Sequence, residues 1–440
     1  MLAQQIQNLH ENDRLDHAKR LGLSLEEFDR LVASANHAYE IIKDLGPFYG
    51  SEENKEPTFR ITAEPVTLPK GSQETLTQLG NDIVHLAKAL QSLPDKNKKE
   101  LGDELEYAIS PTWRVDIILD EKGQMKLNEI EGQDGANALM IAEQLAYGLQ
   151  TIEKSTAAKL ILTLIAMCEP QENGKYTIAH IRIDNPHNTN ADRFIDFIDK
   201  LSKGTLKIVH INENHLISGE VKLDWHKYAG IILEPSFAPK EFYTMGLPKH
   251  KIISNGIYNA MVNKGVFALL FDKELEGYWK KSLGEERFER LKNIFIPTTF
   301  IKTVDDLKKA RQEGKVVKVS WAGEKAYLVN RSKGVAMPIA DLEHGSEERW
   351  NMLEELLQQG IRMVAQDLVI PARIPAFLRR KGITLEPVEW YNRVCVKYVA
   401  DGSTRNDTLP NISLAATEVT LGPDVIPAGR KCAFTAGKLA

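Results

Sequence analysis

Hydrophobic and polar positions follow different patterns in different parts of the chain. Over the first hundred residues the apolar positions recur every three or four residues, which predicts helices. Ser24-Leu25-Glu26-Glu27 is a capping box that opens a helix to about Leu45, and a second helix is predicted from Ser72 to about Leu93. One face of the second helix is apolar and is expected in a core: Ile83, Leu86, Ala87 and Leu90.

The segment Thr112–Gly135 is predicted to form a β-hairpin. Its first strand, Arg114–Leu119, ends at the turn sequence Asp120-Glu121-Lys122-Gly123. Its second strand runs from Met125 to about Glu131.

The register of this hairpin decides which side chains share a face, because side chains on a strand repeat every second residue. If the loop is Glu121–Gln124, Asp120 pairs with Met125. The pairs predicted to follow are Asp116 with Glu129 and Arg114 with Glu131. One face of the hairpin would then carry three carboxylates and one guanidinium.

Two helices, Ala136–Gly148 and Thr151–Met167, are predicted after the hairpin, and strands and helices then alternate. The predicted elements are strands at Tyr176–Ile183, Leu206–Ile211, Tyr228–Leu233 and Lys251–Ser254, and a helix at Ala191–Leu201. This alternation predicts a small parallel sheet with crossover helices. No Gly-x-Gly-x-x-Gly follows the first of these strands, so no dinucleotide site is predicted.

The last third of the chain has the pattern of an α+β unit with an antiparallel sheet. Its predicted helices are Asn259–Phe271, Glu285–Asn293, Thr303–Gly314 and Ser346–Gln359. Its predicted strands are Val316–Ser320, Ala326–Val329, Ile361–Val369, Val388–Trp390 and Arg393–Val399, with which the regular pattern ends.

Composition and charge narrow the class of protein. The chain has 440 residues, which suggests two or three domains, and its 42% hydrophobic and 27% charged residues are typical of a globular protein. A net charge of −5 does not favour nucleic acid as a partner, and the longest apolar run, Ala157–Cys168, is too short to span a bilayer. Three widely spaced cysteines favour a reducing compartment, so we expect a soluble cytoplasmic protein.

The acidic hairpin is the first candidate for chemistry. Three carboxylates on one dry surface would repel one another unless they face water or a cation holds them together. Hard oxygen ligands suit Mg²⁺, and Arg114 could meet phosphate oxygens beside the metal. A solvated hairpin face with ordinary ion pairs explains the same pattern equally well.

Three short motifs occur along the chain, and their order helps to identify the kind of protein. The first is Arg114-x-Asp116, a glycine turn, and Glu129-x-Glu131. The second is Lys318 at the end of a strand, with Gly323, Glu324 and Lys325 in the loop that follows. The third is the strand Val364–Pro371, which carries Gln366, Asp367 and Leu368.

In this order the motifs resemble those of the circularly permuted ATP-grasp enzymes, the group that includes the synthetase domain of glutathionylspermidine synthase. The resemblance implies an α/β and α+β fold in four parts. These are a mainly helical N-terminal region (1–110), a metal-binding hairpin and helix that complete the ATP-grasp core (111–150), a small Rossmann-like preATP-grasp domain (151–260) and a nucleotide-binding region (261–440).

The resemblance also implies roles for individual residues. The expected Mg²⁺ ligands are Asp116, Glu129 and Glu131, and Arg114 would stabilise the transferring phosphoryl group. The expected ATP-binding residues are Lys318, Gly323, Glu324, Lys325, Gln366, Asp367 and Leu368. Taken alone, Lys318 is better explained as a lysine that protects a sheet edge, and Lys333 is a competing candidate for the phosphate contact.

The sequence departs from the family pattern at several positions. Glu131 stands where the family has Asn, the phosphate loop has a single glycine, and Asp367 stands where the hinge has Glu. Three functions therefore stay open. The first is an ATP- and Mg²⁺-dependent ligase that joins a small carboxylate to an amine or thiol, with an amino acid, peptide or polyamine as substrate. The others are an inactive nucleotide- or partner-binding module and an ATP-dependent phosphotransferase.

Overall fold

The computed structural model describes residues 11–45, 60–102, 112–131, 137–151, 156–169, 171, 174–182, 198–234, 248–255, 260–321, 335–336, 346–379, 384–401, 409–423 and 432–440. The helices are α1 (Glu11–Arg20), α2 (Leu25–Leu45), α3 (Ser72–Gln91), α4 (Asp95–Leu101), α5 (Asn137–Ala146), α6 (Thr156–Met167), α7 (Glu213–Ile217), α8 (Gly265–Phe271), α9 (Glu276–Leu283), α10 (Glu285–Ile294), α11 (Val304–Gln312) and α12 (Glu347–Gln358). The strands are β1 (Arg60–Ile61), β2 (Val66–Thr67), β3 (Thr112–Leu119), β4 (Met125–Glu131), β5 (Tyr176–Arg182), β6 (Leu206–Asn212), β7 (Gly230–Glu234), β8 (Ile252–Asn255), β9 (Thr298–Ile301), β10 (Val316–Trp321), β11 (Val335–Ala336), β12 (Arg362–Gln366), β13 (Arg373–Arg379), β14 (Leu385–Asp401), β15 (Asn411–Gly422) and β16 (Ala433–Lys438).

The largest sheet is built around the 17-residue strand β14. Its strand order is β1-β16-β15-β14-β3-β4, with β13 paired to β14 and β2 to β16. The hairpin β3–β4 is therefore one side of this sheet. The prediction that regular structure ends at Val399 was wrong, because β15 and β16 follow. Both contain Ala and Gly, which are depleted in strands, so their strand signal is weak.

The two smaller sheets agree in type with the predictions. Strands β6-β5-β7-β8 are all parallel, and β11-β10-β12-β9 are antiparallel. The last turn of the predicted helix Ala191–Leu201 is observed at residues 198–201, whereas the predicted strand Ala326–Val329 lies outside the described residues.

Two predicted boundaries in the last third were wrong. The helix predicted at Asn259–Phe271 is interrupted after a 3-10 turn, since the Asn263 side chain accepts a hydrogen bond from the Gly265 N–H at 2.7 Å and α8 begins there. The strand predicted to reach Val369 ends at Gln366. The Asp367 N–H still donates to Pro297 O at 2.9 Å in the register of the ladder, but Pro297 has no N–H to return a bond, and the pairing stops there.

Helix α3 packs closely against the large sheet at Gly80. A Cβ built on Gly80 would lie 2.6 Å from Cε1 of Tyr398. That ring has little freedom to move, because its hydroxyl donates to Leu76 O at 2.6 Å and its face stacks on Trp113. The predicted apolar face of α3 is buried in the same core.

Gly80→Ala is therefore expected to destabilise the fold by about 1–3 kcal/mol, because overpacking outweighs the helix propensity that Ala gains. The midpoint of urea unfolding measures the change. Gly277→Ala is the matched control, since no described atom lies within 4 Å of a Cβ added there. An unfolding midpoint for Gly80→Ala as high as that of the control would contradict the close contact.

Candidate functional site

The pairing of the hairpin brings its charged residues together. Arg114 pairs with Glu131 and Asp116 with Glu129, as predicted. Next to the turn, however, Met125 pairs with Leu119 rather than with Asp120, so the loop has five residues and the predicted register there was wrong by one. A β-bulge restores the pairing between the turn and the charged residues.

The bulge places Asn128 as an extra residue between two core positions. Leu127 and Ile130 are both buried although they are three residues apart, whereas their partners Ile117 and Val115 are two apart. This mismatch in apolar spacing is visible in the sequence and would have predicted the bulge.

Three carboxylates converge on the polar face of this hairpin. One oxygen of each of Asp116, Glu129 and Glu131 lies within 4.8 Å of the others. Asp116 is 2% exposed, and Arg114 is 13% exposed. Arg114 binds two of the carboxylates: its Nε donates to Asp116 Oδ1 at 2.8 Å, and a terminal nitrogen lies 2.6 Å from Glu131 Oε2.

Two lysines from other parts of the chain approach Glu129. Lys264 Nζ lies 2.6 Å from Glu129 Oε1. Burial alone would raise the pKa of Glu129, but the charges of Lys264 and Lys318 outweigh it and lower that pKa to about 2. Glu129 is therefore ionised at any pH near neutrality.

Lys318 connects the small antiparallel sheet to the hairpin. Its Nζ donates at 2.7 Å both to Asn128 Oδ1 and to Gln366 Oε1. Burial lowers its pKa to about 8, although the nearby Glu129 carboxylate acts in the opposite direction. Lys318 and Asn128 are 190 residues apart in sequence, so this meeting comes from the tertiary fold.

The remaining predicted nucleotide ligands are only partly described. The Asp367 carboxylate is 45% exposed and lies 3.3 Å from Lys315 Nζ, and Leu368 follows in a segment without regular structure. The Asp367 N–H is already bonded to Pro297 O. Gly323, Glu324, Lys325 and the competing Lys333 lie outside the described residues.

The donor set fits Mg²⁺. Three carboxylates at one point provide the hard oxygen ligands that this ion prefers, and phosphate oxygens would complete its coordination. Asp116, Glu129 and Glu131 would hold the ion, and Arg114 and Lys318 lie where they could meet the phosphates beside it.

Lys264, Asn128 and Arg393 were not predicted as site residues. Arg393 lies on β14 with a terminal nitrogen 3.7 Å from Asp116 Oδ2. Alternation along β14 puts Arg393, Cys395 and Lys397 on the face that the hairpin carboxylates share, and this pattern was a usable signal. Lys264 gave none, because its approach to Glu129 depends on the turn before α8.

A second acidic pair lies deeper on this side of the sheet. Glu143 on α5 is 0% exposed and Glu418 on β15 is 2% exposed. Among the described residues, neither carboxylate oxygen of Glu143 has a hydrogen-bond partner, and Oε2 of Glu418 has none either. Burial, then the charge of Glu418, raise the pKa of Glu143 well above its usual range, and burial raises that of Glu418.

The acidic pair gives the stability a pH dependence of known sign. Because both pKa values are raised in the folded state, the folded protein keeps protons that the unfolded chain loses. Stability is therefore expected to fall as the pH rises from about 4.5, the usual value, towards and through the folded-state values. Gln resembles the protonated acid, so Glu143→Gln should reduce this loss.

Thermal unfolding between about pH 5 and about pH 9 measures the effect, and Glu143→Gln should raise the midpoint at the alkaline end by about 2 °C or more. Glu121→Gln in the exposed turn is the control. If the midpoint of Glu143→Gln followed that of wild type across the range, the pair would not contribute to the pH dependence.

Solved structures resemble this chain over most of its length. A glutathione synthetase-like effector from Globodera pallida in its apo form matches with a TM-score of 0.57 at 11% identity, covering 93% of this chain and 97% of that chain. A putative gamma-glutamylcysteine synthetase from Methylobacillus flagellatus KT has a TM-score of 0.39 at 10% identity, covering 83% of this chain and 85% of that chain. Neither a family model nor a curated protein matches the sequence.

The first likeness shows that the mixed α/β fold is of the glutathione synthetase-like kind. Two further features of the described residues bear on the kind of protein. No helix within the described ranges has the length and apolar character needed to cross a membrane. Cys168, Cys395 and Cys432 are buried free thiols.

Proposed function

We propose that the protein is an ATP- and Mg²⁺-dependent ligase of the circularly permuted ATP-grasp type, which joins a carboxylate to an amine or thiol through an acyl phosphate. The observation that carries the proposal is the contact of Lys318 with the bulge of the carboxylate hairpin. A cation suited to phosphate and a donor set suited to Mg²⁺ come together from two separate sheets. The fold likeness supports the same class of enzyme.

Each group has a task in this reaction. When bound, Mg²⁺ would neutralise charge on the phosphates of ATP. Asp116, Glu129 and Glu131 fix where that charge is neutralised. Arg114, held on two carboxylates, presents its remaining N–H groups to the phosphoryl group as negative charge develops there.

Lys318 is held on the other side by Asn128 and Gln366, so its ammonium is oriented before ATP arrives. Such positioning removes reorganisation from the reaction step. The substrate carboxylate would attack the γ-phosphate and release ADP, and the acceptor would then displace phosphate from the acyl group. Small-molecule substrates, an amino acid, peptide or polyamine among them, and a cytoplasmic location belong to the same proposal.

A second candidate is a nucleotide-binding module without ligase activity. It is favoured by one observation: Asp116, Glu129 and Glu131 each have a cationic side chain within hydrogen-bonding distance. Carboxylates compensated in this way are weaker metal ligands than free ones. The glutamate at position 131, where the resembling family has Asn, points in the same direction.

The test has two stages. Calorimetry with ATP, with and without Mg²⁺, is run on wild type and on Glu129→Ala; the ligase requires metal-dependent ATP binding in wild type that the variant loses. A panel of carboxylate and amine pairs is then screened for ADP and phosphate release. Release that needs both substrates supports the ligase. ATP binding without turnover over the whole panel would favour the module, and a stable phosphorylated product would identify a phosphotransferase.

A further inference from the structure

The backbone at Lys264 is fixed beside the acidic cluster. The residue before it, Asn263, is 4% exposed and fixes the backbone on both sides: its side-chain amide donates to Leu101 O, and its Oδ1 accepts from the Gly265 N–H. The Lys264 side chain spans from this anchor to Glu129, with Nζ 2.6 Å from Oε1. The position of the Lys264 backbone therefore depends on the two hydrogen bonds that hold this turn in place.

The cations at the cluster already offset the negative charge of the carboxylates. The three carboxylates carry three negative charges, and three cations lie within 4 Å of them: Arg114, Lys264 and Arg393. Lys318 interacts electrostatically with Glu129 and adds a fourth positive charge. A divalent ion that arrives alone therefore meets no net negative charge and must compete with cations already in contact.

The two cations in closest contact with the carboxylates differ in how easily a metal ion could displace them. Arg114 holds Asp116 and Glu131 with several donors and is only 13% exposed. Lys264 holds one oxygen, is 23% exposed and has a flexible four-carbon stem. A metal ion can therefore reach the cluster most easily by displacing Lys264 from Glu129.

We propose that Lys264 is an internal counter-ion of Glu129 that makes metal binding depend on a bound polyphosphate. Without ligand, its ammonium takes the position of the cation at Glu129. With metal and nucleotide bound together, the Lys264 ammonium would leave Glu129 to the metal and would contact a phosphate oxygen instead. The metal site, which the inference takes from the proposed function, is thereby closed to free divalent ions.

The experiment measures Mn²⁺ binding rather than turnover. Mn²⁺ substitutes for Mg²⁺, and the signal of the free hydrated ion in electron paramagnetic resonance reports how much is bound. Wild type, Lys264→Met and Lys264→Gln are titrated with Mn²⁺, with and without ADP, which carries the polyphosphate and has no γ-phosphate to transfer. Lys302→Met is the matched control, because it removes the same charge from a surface ion pair with Glu100.

Wild type is expected to bind Mn²⁺ at least about tenfold more tightly with ADP than without it. Lys264→Met should bind Mn²⁺ alone at least about tenfold more tightly than wild type, Lys264→Gln should gain less because it can still donate to Glu129, and the control should match wild type. If both Lys264 variants bound Mn²⁺ alone no better than wild type, the inference would be overturned.

The outcome also separates this inference from the proposed function. Tight Mn²⁺ binding by wild type with ADP, without a gain in the Lys264 variants, rejects the counter-ion and leaves the metal site intact. Absence of Mn²⁺ binding in every protein, with and without ADP, rejects the metal site and with it the ligase.

Discussion

Asp116→Asn is expected to lower Mg²⁺-dependent ADP formation by at least about 100-fold, since a bound metal supplies several kcal/mol of charge stabilisation. The substitution keeps the size of the side chain and its acceptor oxygen while it removes the charge. Asp116 is the most buried of the three carboxylates, so water is poorly placed to replace that charge. Initial rates of ADP release at saturating Mg²⁺ measure the effect.

The matched control for Asp116→Asn is Asp120→Asn on the same hairpin. Asp120 Oδ1 accepts from the N–H groups of Lys122 and Gln124, and an asparagine oxygen can accept the same two bonds. The control should keep its activity and its unfolding midpoint. Loss of ADP formation in both variants would mean that the hairpin responds to damage at any aspartate, and the assignment of Asp116 would fail.

Lys318→Met is expected to weaken ATP binding by roughly 30- to 100-fold, because a charge-assisted hydrogen bond contributes about 2–3 kcal/mol. The pH dependence of ATP affinity provides a second, independent test of this role of Lys318. The Lys318 ammonium, with its pKa of about 8, loses its proton as the pH rises through that value. The affinity of wild type for ATP should therefore fall through this range, and the affinity of Lys318→Met should not follow it.

Calorimetric titration of ATP from about pH 6 to about pH 9 measures both effects. Lys126→Met is the control, because Lys126 lies on the same hairpin and donates to the Asn293 carbonyl instead of facing the cluster. An affinity that stayed constant with pH in wild type would show that Lys318 does not act as a phosphate ligand.

The hairpin was predictable from its sequence because the residues that determine its pairing lie close together along the chain. A glycine turn and alternation of charged and apolar residues suffice to put Arg114, Asp116, Glu129 and Glu131 on one face. The error at the turn arose because a regular ladder was assumed, whereas Leu127 and Ile130 have the odd spacing of a bulge.

The cations around the carboxylates could not be placed in the same way. Lys264 precedes a short helix and Lys318 lies in another sheet, so each reaches Glu129 through packing between distant segments. Family resemblance suggested Lys318, whereas Lys264 had no assigned role. The buried Glu418 was missed because β15 was not predicted. Glu143 lies on a predicted helix, but its acidic partner lies on that unpredicted strand.

Asn128 adds one residue to β4 between Leu127 and Glu129, so the two halves of the strand run in registers that differ by one. If Asn128 stayed in an unbroken ladder, Glu129 would pair with Val115 and turn towards the apolar core, and Ile130 would turn towards the polar face. Deletion of Asn128 has a different effect, because Leu127, Glu129, Ile130 and Glu131 then alternate without a bulge and keep their present partners. Such a deletion would therefore preserve the acidic face and remove the contact with Lys318.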